Sequence, residues 1–109
     1  MGAVANKSLR DLAADFRALL IAAQEERAAR PDFVTIDGET ECAWVFYERT
    51  TMHDEVNRVR AETGLTPLPI AAVARVERMA AGHVDYTLKY AFYCAELAQG
   101  YGDFPRGQR

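Results

Sequence analysis

The sequence predicts an all-α protein, a small four-helix bundle whose C-terminal helix is largely buried. Residues 83–100, HVDYTLKYAFYCAELAQG, wound as a helix are apolar around most of the circumference, with only Asp85, Lys89 and Glu96 making a polar seam. Upstream, apolar residues recur three and four apart in further stretches, and Pro31, Gly64 and Gly82 fall where those stretches end. A helix with so little polar surface has to be covered by others, so residues 83–99 are expected to be enclosed by their neighbours. Val84, Leu88, Phe92 and Ala95 fall on one side of it. Tyr86, Tyr90, Tyr93 and Leu97 fall on another, with Ala91, Cys94 and Ala98 between.

Residues 1–7 read as an N-terminal arm, 8–100 as one helical domain and 101–109 as a tail. Ser8 is placed to cap the first helix, with Asp11 three residues later where a capping-box acid would sit. Leu9, Leu12, Ala13, Phe16, Leu19, Leu20 and Ala23 then form one apolar stripe on a helix over 9–29, stopped by Pro31. Ile21 lies off that stripe, with Ala14, Ala18 and Ala22.

Residues 33–36 are the one place where a strand could form, before the turn pair Asp37-Gly38; the following Glu39-Thr40-Glu41 offers no apolar face for a partner strand. Asp37 is therefore preferred as the cap of a second helix running to about 63 and ended by Gly64, with Glu39 and Glu41 at its positive end. Val45, Met52, Val56 and Val59 form its core stripe, and Asp54 and Arg58 are spaced for a surface ion pair. Thr66-Pro67 signals a helix start, with Pro69 tolerated in the first turn, so the third helix is expected over 67–81 and closed by Gly82. Ile70, Val73, Val76 and Ala80 make its face.

Half of the 109 residues are hydrophobic, enough for one domain to bury a core without staples. Thirteen basic against sixteen acidic residues leave a slightly acidic chain, which does not favour nonspecific attraction to phosphate backbones or anionic lipid. Cys42 and Cys94 are too few for a disulfide framework, and without a secretory segment the chain is expected in the cytoplasm with reduced thiols. The apolar run near 19–23 is too short to cross a membrane.

No motif carries a chemistry by itself, and a non-enzymatic role is favoured over a catalytic one. Helical projection gathers Arg49, His53, Glu77, His83, Asp85, Tyr86 and Tyr90 toward one buried polar cluster. The favoured reading makes Arg49 and Glu77 a structural ion pair with tyrosine hydroxyls satisfying what remains. The alternative is a small enzyme or ligand-binding protein with a pocket around Arg49, His53, Glu77 and His83, in which His53 or His83 acts as general base beside Glu77; no recognisable nucleophile or oxyanion loop accompanies either histidine. Cys42, His53, His83 and Cys94 lack the close pairing of a zinc site, so no metal or cofactor is expected. The third and fourth helices superficially match a helix-turn-helix, yet the fourth is apolar on most sides where a recognition helix must be polar, so nucleic acid is an unfavoured partner. Arg58, Arg60, Arg75 and Arg78 read as solvated charges.

Partner binding has more support. Ile21, Trp44 and Tyr47 lie off the core stripes, and Tyr101 and Phe104 sit beyond the last helix. Together they exceed what a few short helices easily cover, so a homodimer or a complex with a host protein is expected. Gly82-His83-Val84-Asp85-Tyr86, Lys89-Tyr90-Ala91 and Tyr93-Cys94-Ala95-Glu96-Leu97, preceded by Arg75-Val76-Glu77-Arg78-Met79, resemble a segment of small all-helical proteins of actinobacteria and their phages. The resemblance covers about the last half of the chain. It implies an accessory or host-modulating role and brings no activity, cofactor or catalytic residue with it.

Overall fold

The computed structural model describes residues 7–28 and 43–101. Segment 33–36, the Asp37 cap, Cys42 and Phe104 lie outside the described residues, as do the side chains of Trp44 and Val45. Four helices are present, α1 (Leu9–Ala28), α2 (Ala43–Glu62), α3 (Ile70–Ala80) and α4 (Tyr86–Ala98), with no strand among the described residues. The chain is a small all-α bundle. α2 and α4 each pack against the other three helices, and α1 and α3 lie on either side of that pair.

α1 begins as its sequence dictates. Ser8 Oγ accepts the Asp11 N–H at 3.1 Å, and the Ser8 carbonyl accepts the Leu12 N–H. Its stripe buries Leu12, Ala13, Phe16, Leu20 and Ala23, while Ala14, Ala18 and Ala22 face solvent. α2 contributes Met52, Val56 and Val59 to the same core, α3 contributes Val73, Val76 and Ala80, and α4 contributes Tyr90, Ala91, Cys94, Ala95 and Ala98. The inner face of α4 is mostly small side chains, which lets its neighbours approach closely. Gln24 Nε2 donates to Thr87 Oγ1 and Gln99 Nε2 donates to the Lys7 carbonyl, so α1 and α4 run antiparallel along their length.

α2 ends in a Schellman motif. Gly64 takes a left-handed conformation at φ 81°, its N–H reaches the Ala61 carbonyl, and the Leu65 N–H reaches the Arg60 carbonyl at 2.8 Å. Gly100 is also left-handed after α4, at φ 93°, with its N–H on the Leu97 carbonyl, and a side chain there would meet Leu65 Cδ1 at 3.2 Å. Two helix ends thus share one packing contact. Gly82 does not repeat the device: it is not left-handed, and α3 closes through Ala81 and His83 N–H groups on the Glu77 and Ala80 carbonyls.

Several expectations are corrected. α3 starts at Ile70, with Pro69 as its cap, rather than at 67. Leu68 precedes a proline, which disfavours helical geometry, and both of its backbone polar groups bond to Asn57. α4 starts at Tyr86 rather than 83, so 83–85 are a bend. Its enclosure is incomplete: Leu88 is 43% exposed on the helix, and Val84, in the bend before it, is fully exposed. Arg58 bridges Glu55 and Glu62, one turn before and one turn after it, instead of pairing with Asp54, which lies equally close in sequence, so the spacing by itself did not select the partner.

Arg60 is the largest departure. Expected on a solvated face, it is fully buried, donating Nε–H to the Thr66 carbonyl and Nη1–H to the Leu97 carbonyl, each at 2.7 Å. It joins α2, the connection to α3 and the last turn of α4, where helix carbonyls lack intrahelical donors. Arg60→Ala is expected to lower unfolding free energy by about 3 kcal/mol, read from urea denaturation, because two charge-assisted bonds to backbone carbonyls, the one to Leu97 buried, are lost together.

Candidate functional site

The polar residues expected to form one cluster separate into three places. Between α2, α3 and α4, Arg49 Nε donates to Glu77 Oε1 at 2.7 Å, an ion pair that is only about one-sixth exposed on either side. Glu48 is buried beside it, and the Tyr86 and Tyr90 rings lie 5.5 Å apart between centroids, tilted by 45°. Burial, followed by the charges of Glu77 and Glu48, pushes the Tyr86 phenol well above its ordinary range. Tyr90 is raised further, by burial first and then by Cys94 and Glu77. Burial and then Glu77 raise the Cys94 thiol in the same way. These groups hold their protons at neutral pH, so the site offers no thiolate or phenolate nucleophile.

His53 is elsewhere on α2. Its Nε2 lies 2.7 Å from the Leu68 carbonyl, which also accepts from Asn57 Nδ2, while Asn57 Oδ1 accepts the Leu68 N–H at 2.8 Å. Because a carbonyl only accepts, Nε2 carries the proton and donates. His53 and Asn57 therefore fasten the extended connection 66–69 to α2. His83 and Asp85 are exposed, against the expectation of burial, because the bend before α4 carries both away from the core; His83 Nε2 is 3.3 Å from the Tyr93 hydroxyl. Arg49, Glu77, Tyr86 and Tyr90 are brought together, and the two histidines are not.

Glu48 and Asn57 were not singled out from sequence, and Arg60 was read there only as a solvated charge. Asn57 had one legible signal: it stands four residues after His53, and the Thr-Pro-Leu-Pro segment that follows α2 must find partners for backbone groups that no helix satisfies. Glu48 and Arg60 had none, because only packing decides that a charged residue next to an apolar stripe is buried.

A groove of about 430 Å³ opens where α1, α2 and the end of α4 meet, with Lys7, Asp15, Arg58 and Glu62 around a floor that includes Leu12 and Val59. Its rim charges pair with one another, Lys7 with Asp15 at 2.5 Å and Arg58 with Glu62 at 2.5 Å. No histidine lines it. Among the described residues no cluster of His, Cys, Asp and Glu is arranged to hold a metal ion, and no helix is long and apolar enough to cross a membrane.

Of the side chains expected to meet a partner, Ile21 and Tyr47 are half-buried and Tyr101 is exposed. The larger apolar exposure lies at residues not chosen for that role: Met79 is 50% exposed, and Val84 and Leu88 follow it around the corner from α3 into α4. Phe46 is also exposed. No protein-family model, curated protein or solved structure matches the chain.

Two outcomes test this description. Tyr90 Oη is buried with no hydrogen-bond partner among the described residues, so Tyr90→Phe should leave stability unchanged or raise it by up to about 1 kcal/mol. Stability should also fall with rising pH above about 10, where unfolded phenols ionise while folded Tyr86 and Tyr90 keep their protons. The contribution is complete below that pH. Urea midpoints between about pH 8 and 11 should drop less steeply for Tyr86→Phe than for wild type.

Proposed function

We propose that this is a small accessory protein that acts through protein–protein contact and associates with itself, rather than an enzyme. One observation supports the reading: Met79, Val84 and Leu88 present a run of large apolar side chains to solvent at the corner between α3 and α4. Isolated exposed apolar residues are ordinary, whereas several from one corner of a small domain suit a contact surface. Val84 is exposed without helical constraint, so its exposure does not stabilise the monomer. A cytoplasmic location and a phage or actinobacterial host-modulating role belong to the same proposal and rest on the composition and on the resemblance of residues 75–97.

Light scattering over a range of concentrations tests it. The wild type should show a defined oligomer, and Met79→Ser with Val84→Ser should shift it toward monomer while the thermal midpoint stays within about 2 °C, since neither side chain is in the core. A wild type that stays monomeric throughout would remove self-association.

A further inference from the structure

Lys89 and Glu96 are half-buried on the outer side of α4, and neither has an ion-pair partner among the described residues. The ion pairs formed by described residues engage Lys7 with Asp15, Arg49 with Glu77, and Arg58 with Glu55 and Glu62. Seven residues are nearly two helical turns, so Lys89 and Glu96 share one face about 10 Å apart along the axis, too far to pair with each other. Phe92 stands between them, half-buried, and Leu88 flanks it one turn earlier. The outer face of α4 thus runs from positive charge through an aromatic ring to negative charge.

We infer that a second copy of this chain covers that face, with the two α4 helices packed antiparallel about a two-fold axis near Phe92. The inference rests on the self-association proposed above and specifies its geometry. A two-fold contact has to be complementary to itself. Antiparallel pairing meets that requirement: each Lys89 comes level with the partner's Glu96, and Phe92 meets the partner's Phe92 at the axis. Parallel pairing sets Lys89 against the partner's Lys89 and aligns the two helix dipoles, both unfavourable. Phe92 supplies the central aromatic anchor, with the charge pairs around it.

The size of the contact sets its strength. α4 has 13 residues and is about 20 Å long. A pair of such helices alone buries less than the roughly 1,600 Å² of a standard interface, so Leu88, Val84 and Met79 are needed to extend it, and the dimer is concentration-dependent rather than permanent.

Sedimentation equilibrium of the full chain tests the pairing. Wild type should show a reversible monomer–dimer equilibrium. Lys89→Glu and Glu96→Lys should each weaken it about tenfold or more, because the two-fold axis turns two attractions into two repulsions in each variant. The double variant, with both charges exchanged, should return to within about threefold of wild type. Circular dichroism checks that helicity is kept, and the milder Lys89→Gln and Glu96→Gln should each weaken dimerisation about threefold should a reversal prevent folding. A dimer indifferent to the single reversals, or a double variant no better than the singles, overturns the α4 pairing and leaves self-association standing. A wild type that is monomeric at every concentration overturns both, and does so before any variant is made.

Discussion

The fold depends on how closely other helices can approach the inner face of α4. Ala91, Cys94, Ala95 and Ala98 are buried there, and no bulkier aliphatic chain interrupts them until Leu97 on the adjoining side. Small side chains bring helix axes to the short end of the packing range, so the large groups that fill the remaining space come from the partners. Phe16 and Leu20 of α1 and Met52 and Val56 of α2 are those groups, each without solvent exposure. Tyr90 is the exception on α4 itself. Its ring fills volume between helices, and its hydroxyl is taken out of water without a hydrogen bond among the described residues in return.

Polar side chains complete the bundle by answering backbone groups that the helices leave open. The connection between α2 and α3 is extended and proline-bounded, so it cannot satisfy its own N–H and carbonyl groups. Asn57 answers both groups of Leu68, His53 adds a second donor to that carbonyl, and Arg60 answers Thr66. All three donors come from one side of α2 at three- and four-residue spacing. Arg60 extends the same work to Leu97, so one buried guanidinium ties the end of α4 to the start of the connection. One turn before His53 on the same side of α2, Arg49 pairs with Glu77 and ties α2 to α3.

With those demands met inside, the polar residues that looked most like chemistry are occupied in holding the fold. The tyrosines and the thiol near Glu77 are kept neutral by burial and adjacent negative charge, and the two histidines stand apart, one at a backbone carbonyl and one on the surface. On the outer side of α3 and α4 apolar side chains meet water, and Lys89 and Glu96 lack ion-pair partners among the described residues.

Helical periodicity, the Ser8 cap and the left-handed glycine after α2 were legible in the sequence because each depends on interactions within a few residues. The core stripes of α1 and α3 were legible for the same reason: a 3.6-residue repeat places them on one face whatever lies opposite. The Arg49–Glu77 pair was also anticipated, from the position of each residue at the edge of its apolar face. α4 marks the limit. Its composition is apolar nearly all round, so periodicity contained no information about which side would be covered: of the residues expected on one side, Ala95 is buried, Leu88 is exposed and Val84 falls in the bend before the helix. Local sequence determined the helices and most of their buried faces. Tertiary structure alone decided that Arg60 would be buried, that Leu68 would bond to Asn57 and that α4 would keep an outward face, because each depends on which residues distant in the chain arrive alongside.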